Sequence, residues 1–369
     1  MSDTMVKRDL KIEDILLERD FHRLNSNTLR IIGVLMEKGY EGTDDLYKDK
    51  DNIYINESAY AILKSKIFAC KTSIKYWGLS RIDKLENRNA LIETIESWDF
   101  YNNNKINELE PKVKNKSLET PTAYTCLKIE DEIYLMRFIV PCGNKRDDDG
   151  ISDTKIRQYK NVVCFINIKY GYIEIRTEST YAERVIEVLQ YKLNLNGVRT
   201  LPILGHFNNN IEDFKDSFEN AKFINSKSIP EFDFDISEED SEMLVEVLLI
   251  LEDFITNNKD ETFLDELKNI NFNDNSNGFI PLLLAGLCGI GFSTRKTDIR
   301  DITNQPMYKI IEPYLTHQIG MLHVTDDDTG QTYSLQISLK NNSIAFKSAL
   351  TDERFIKIVR NKLLNIEEE

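Results

Sequence analysis

A short unit is written twice in this chain, and that constrains its architecture more than any single residue does. The first copy, VVCFINIKYGYIEIRTESTYAERVIEVLQYKL, runs from Val162 to Leu193; the second, YSLQISLKNNSIAFKSALTDERFIKIVRNKL, from Tyr333 to Leu363. Ile166, Ile168, Lys169, Ile173, Ile175 and Arg176 match Ile337, Leu339, Lys340, Ile344, Phe346 and Lys347. After a one-residue slip, Glu183-Arg184 matches Glu353-Arg354 and Lys192-Leu193 matches Lys362-Leu363. Each copy reads strand, tight turn, strand, helix. A strand and an acidic turn precede each: YLMRFIV with Asp147-Asp148-Asp149-Gly150, and MLHV with Asp326-Asp327-Asp328-Thr329-Gly330. The predicted unit is therefore βββα. The predicted fold class is α+β: an N-terminal helical domain, then a body with two βββα units and helices between them.

Length supports several domains, since 369 residues exceed one ordinary core. The boundaries expected are a helical domain over 1–100, a polar linker over 101–121, an α+β domain with the first copy over 122–235, and a helical segment with the second copy over 236–369. In the first domain, Asn27 is read as the cap of a helix carrying Leu29, Ile32, Leu35 and Met36. Steps of three and four through Tyr60, Leu63, Ile67, Cys70, Ile74 and Trp77 predict one continuous helical face. A further helix, NALIETIESW, ends at Trp98. AYTCLKI and EIYLMRFIV predict a hairpin turning near Glu130-Asp131, followed by a polar loop, PCGNKRDDDGISDTKIRQYK. Thr180 and Thr351 are the expected caps of the repeat helices. Between the copies, a helix opens at Ser237, FLDELKNI is a second, and the apolar run Phe279 to Phe292 is a core helix too short to span a bilayer.

Chemistry is hard to find. The five cysteines are scattered with no C-x-x-C pair, which predicts reduced thiols, and Cys70 and Cys164 fall on core positions. The four histidines sit in no metal motif, and no phosphate loop, dinucleotide fingerprint or nucleophile elbow occurs. The N-terminus has no apolar leader, so a cytoplasmic location is expected. The Asp triplets are turn formers first; Asp326, Asp327 and Asp328 are the weak candidates for a divalent metal. No cofactor is expected.

Basic residues stand out because net charge is −15. Glu57 to Arg88 carries seven cations against three carboxylates, and Tyr333 to Leu363 six against two. On the helical reading, Lys64, Lys71 and Lys75 share a face. Lys340 and Lys347, matching Lys169 and Arg176, alternate with apolar strand residues and should face solvent. With Arg354, these six are the candidate anion- or nucleic-acid-binding residues. The expectation is a non-enzymatic binding or scaffold protein with a protein partner, a subunit of a bacterial or mobile-element assembly, and no membrane association. The alternative is a nucleic-acid-binding accessory protein in genome defence or maintenance, and behind it a metal-dependent nuclease.

Overall fold

A computed structural model describes residues 9–79, 84–148, 153–195, 197–230 and 315–367, with short stretches at 245–246, 249, 290–293, 301–304, 308–309 and 312. The helices expected from Ser237 and at FLDELKNI lie outside the described residues, as do the turn at Asp149-Gly150 and residues 279–289 of the expected Phe279 to Phe292 helix; the end of that run, Ile290–Ser293, is a strand rather than a helix. The protein mixes helices with a large antiparallel sheet. No described helix is long and apolar enough to cross a membrane. Two compact units are present, residues 1–220 with 324–369, and residues 221–323.

The first unit starts with short helices, α1 (Glu18–Phe21), α2 (Ser26–Leu35), α3 (Thr43–Lys48), α4 (Lys50–Ile55) and α5 (Glu57–Lys66). Asn25, not Asn27, caps α2: its side chain accepts from Thr28 N at 2.7 Å. The long helical face stops at Lys66. Lys71 takes a left-handed φ of 46°, and β1 (Ser73–Gly78) follows. The sequence Ser-Ile-Lys-Tyr-Trp is rich in β-formers. A central strand is buried on both faces, which removes the period-two signal that separates strand from helix. Lys64, Lys71 and Lys75 therefore do not share a helical face.

Then come α6 (Leu85–Glu96), β2 (Asn103–Asn104) and α7 (Ile106–Lys114). The stretch expected as linker thus carries a helix, whose Leu109 packs with Leu118, Tyr124 and Ile139. Strand β3 (Thr122–Glu130) and β4 (Ile133–Asp148) form the expected hairpin. The expected loop after Pro141 is instead an extended two-stranded ribbon, because β5 (Asp153–Asn167) stays paired with β4 out to Asp148↔Asp153. Gly143, at φ 97°, sits in the register shift that lets the ribbon continue past Pro141. Next come β6 (Tyr172–Arg176), α8 (Ser179–Leu193), β7 (Arg199–Thr200) and α9 (Ile211–Asp216). After the second unit's β8 (Ala221–Pro230), β9 (Ile290–Ser293) and most of β10 (Leu315–Thr325), the chain returns through β11 (Thr332–Ser338), β12 (Ser343–Phe346) and α10 (Glu353–Leu364).

In the first unit the strand order is β2-β3-β4-β5-β6-β1-β12-β11. Strand β1 separates the two hairpins and is antiparallel to both neighbours, through Lys75↔Ile175 on one side and Ser73↔Ala345 on the other. Hairpin β5–β6 pairs Ile166 with Ile173, and β11–β12 pairs Ile337 with Ile344. The β5–β6 turn needs a left-handed residue, supplied by Gly171 at φ 75°; Asn342 does the same for β11–β12 at φ 46°. Neither repeat helix is capped as expected. Glu178 precedes α8 without a side-chain cap bond, and Asp352 caps α10 by accepting from Phe355 N at 2.9 Å.

One sheet face, carrying Trp77, Met136, Cys164, Ile173 and Ile175, is covered by Ala182, Val185 and Leu189 of α8 and Leu91 and Ile95 of α6. Leu127, Leu135 and Val163 point to the other face and pack against the N-terminal helices. Glu174 and Arg176 alternate with Ile173 and Ile175, so they too face away from α8, and both meet α10. Helix α10 buries Phe355, Ile356, Val359 and Leu363, a stripe at helical spacing. Phe355 lies flat on Tyr333 at 3.8 Å and meets Phe346 edge-on. Helix α1 is fixed by a buried ion pair: Arg137 of β4, with no exposed surface, grips both oxygens of Asp20 at 2.7 Å.

Candidate anion-binding pocket

The opposite face of the sheet is not fully covered. Beyond α5 and before α10 a hollow of about 810 Å³ opens, within the range of small-ligand sites. Its floor follows from strand alternation. Leu135 pairs with Phe165 across β4 and β5, Ile133 lies two residues on, and Asn167 pairs with Ile133. Its walls are Lys64 from α5, Arg88 from α6, and Glu353, Lys357, Arg360 and Asn361 from α10. The α10 residues recur at four, three and one, so one polar helix face looks into the hollow. The β5–β6 turn adds Lys169 and Tyr170 at the edge.

Beneath the wall lies an ionised network. Arg176 gives Nε to Glu174 at 2.7 Å, and its other nitrogens grip both oxygens of Glu353, with one also reaching the carbonyl of Phe68. Arg360 reaches the second oxygen of Glu174 at 3.2 Å, while its Nε has no partner among the described residues. Burial disfavours the Glu174 carboxylate, but Arg176 and Arg360 outweigh it and hold its pKa below the ordinary value. Burial likewise works against both guanidiniums, and the carboxylates reverse it: Glu353 and Glu174 for Arg176, Glu174 for Arg360. Tyr172, under the Arg360 guanidinium at 5.8 Å, is pushed up to about 12, chiefly by burial. Arg176 lies over Phe165 at 4.4 Å, which keeps its fork flat.

The lining carries six cations, Lys64, Arg88, Lys169, Arg176, Lys357 and Arg360, against four carboxylates, Glu130, Asp131, Glu132 and Glu353. Adding the partners just behind, Glu174 and Lys128, preserves the surplus of two positive charges. In a chain of net charge −15 this is a local reversal. A concave wall with a net positive charge favours anions over cations.

Of the residues expected to bind anions, only Lys64 lines this pocket. Lys75 is 4 % exposed and committed to Glu183 at 2.7 Å and Ser179 at 3.1 Å. Lys71 is exposed on the turn before β1, and Lys340 and Lys347 are exposed on the β11–β12 hairpin. Arg176, the partner of Lys347 in the alignment of copies, is buried rather than solvent-facing. Arg354 is held by Asp326 and Asp328. The same contacts engage the weak metal candidates. Asp326 also accepts from Thr329 and shares Arg354 with Asp328, while Asp327 accepts from Asn220 at 2.5 Å, so each carboxylate already answers a protein donor. Burial opposes ionisation of Asp326, yet the bonds from Thr329 and Arg354 keep its pKa lowered.

In the sequence alone Arg88 and Arg360 count only as part of basic segments, and Glu174-Ile175-Arg176 only as a loose acidic-x-basic strand pattern, with nothing to place any of them in a pocket. The signal was present: Glu-Ile-Arg places opposite charges two apart on one strand face, and Glu353, Lys357, Arg360 recur at helical spacing. Two other clusters appear among the described residues. Exposed Glu18, His22 and Asp44 bring ligand-type atoms within 4.8 Å of one another. In the second unit His317 is bonded at Nδ1 to Ser226 and Ser228 and at Nε2 to Tyr308, with both serines buried. Cys70, Cys126 and Cys164 are buried free thiols, and Cys70 is pushed up to about 11 by burial. No protein-family model matches this chain, and no curated protein matches it.

Proposed function

We propose that this chain is a non-enzymatic binding protein whose pocket beside α10 receives an anionic ligand. The observation that supports it is the surplus of two cations around a hollow of about 810 Å³. Within the lining Arg88 is paired with Glu132 and Arg176 with Glu353, and among the described lining residues no nucleophile has an adjacent base, so it suits recognition better than turnover. The sheet around it is read as a duplication: two βββα units related across β1, with Arg184 and Arg354 as matched helix residues. Arg184 reaches Pro141 O near the first unit's leading strand, and Arg354 reaches Asp326 after the second's. We place the protein in the cytoplasm, where its exposed surfaces serve a protein partner.

The test is titration calorimetry with inorganic phosphate and with sulfate at low and at moderate salt. Binding should weaken as salt rises. Replacing Lys64 and Lys357 together by Ala should lower affinity by about tenfold, the effect of some 1.4 kcal/mol. Unchanged affinity in the double variant overturns the proposal.

A further inference from the structure

The pocket is built in two chemically distinct halves, and this bears on what kind of anion it takes. Resting on the anion-binding reading above, we infer that the ligand is an amphiphilic anion: a phosphate monoester joined to an apolar or aromatic body.

The charged half is the α5–α10 wall, with Lys64, Lys357 and Arg360. Its surplus of two cations matches the double charge of a phosphate monoester near neutral pH. Arg360 brings a planar fork suited to phosphate oxygens, with only Nη1 engaged by a carboxylate. The other half is the sheet floor. Leu135 and Phe165 are direct cross-strand partners, and Ile133 points the same way. Ile129, from β3, is partly buried against the same core. Leu135 is buried in the core that packs the N-terminal helices, so the surface the floor offers comes from the half-buried Ile129, Ile133 and Phe165. A bare phosphate ion contacts only the wall and leaves that floor wet. The hollow is several times larger than such an ion requires, and its volume is that of a ligand with a body. Burying the body against the floor is favourable in proportion to the apolar area removed from water.

The probes are inorganic phosphate, 1-naphthyl phosphate and 1-naphthol, titrated into the full chain by calorimetry. Naphthyl phosphate should bind about tenfold or more tighter than inorganic phosphate, the factor that roughly 60 Å² of newly buried apolar surface supplies. Ile133→Ser should lower the affinity for naphthyl phosphate far more than that for inorganic phosphate and so remove most of that advantage. Lys64→Ala with Lys357→Ala should weaken both phosphates and spare naphthol. If naphthyl phosphate binds no tighter than inorganic phosphate, the amphiphile inference fails while the anion reading stands. Should naphthol bind as tightly as naphthyl phosphate, the pocket is apolar and the anion reading falls with it. No binding by any probe overturns both. Circular dichroism of each variant checks that it is folded.

Discussion

Arg137 offers the sharpest energetic test of this fold. Its side chain has no exposed surface, both terminal nitrogens contact Asp20 at 2.7 Å, and one also donates to the carbonyl of Ile15. The Phe68 and Tyr124 rings lie 5.3 and 5.8 Å from the guanidinium. Removing one partner of such a pair strands a buried charge, at a cost of about 3–5 kcal/mol. Asp20→Asn can keep the acceptor for Leu17 N, now at 2.8 Å, but removes the charge and turns an NH2 toward an Arg137 nitrogen. Arg137→Met places a flexible apolar chain between the same two rings and strands Asp20 instead. Each single variant should lose about 3–5 kcal/mol, but the double variant only about 1–2 kcal/mol, because no buried charge remains. The assay is urea denaturation followed by tryptophan fluorescence. The chain's two tryptophans, Trp77 and Trp98, both belong to the first unit and pack in or against its core. The transition therefore reports that unit. A double variant as unstable as the sum of the singles would refute the reasoning, as would an Asp20→Asn loss below about 1 kcal/mol.

Three further outcomes are expected. Glu174 has a lowered pKa in the folded state, so it stabilises the fold above its unfolded value and that contribution is lost as pH falls through the folded one; the fluorescence-monitored midpoint should drop on acidification below about pH 4, and Glu174→Gln, less stable at neutral pH, should show a flatter acid limb. Lys75→Glu sets a buried carboxylate against Glu183 and should cost about 3 kcal/mol in urea titration, while Lys64→Glu, on an exposed helix position, should stay within about 0.5 kcal/mol. Among the four cysteines described, Cys142 is the half-exposed one, so iodoacetamide at pH 8 should label it before Cys70, Cys126 or Cys164, read by peptide mass spectrometry.

The mixture of helices with antiparallel strands was legible because strand alternation and turn residues are local signals. Glu130-Asp131 marks its hairpin, and each repeat copy contains a strand, a tight turn and a strand that pair as a hairpin, Ile166 with Ile173 and Ile337 with Ile344. The strand at Ser73–Gly78 was not legible. Its two faces are both buried, by different partners, and Lys75 hides a long-range ion pair that nothing in its neighbourhood announces. The ribbon beyond Pro141 was hidden for the opposite reason: its Asn, Lys, Arg and Asp residues resemble a loop, and only cross-strand pairing makes it regular. The pocket was half legible. The basic excess of the last helix marked the right segment, but the residues that line the hollow are those on the polar face adjoining its buried stripe, Lys357 and Arg360, not Lys340, Lys347 and Arg354. Only the packing of α10 against β6 decides which cations converge.

The position of β1 has a consequence for synthesis. It pairs with β12 through Ser73↔Ala345, about 270 residues further along the chain. At translation rates of roughly 5–20 residues per second, that edge of β1 stays without its native neighbour for on the order of 15–50 s. Its backbone donors and acceptors are open to wrong strands throughout this time. The nascent chain therefore carries part of a sheet with a sticky margin until Ser343–Phe346 is made and pairs with it. Slow translation, or loss of Ser343–Phe346, should show up as aggregation.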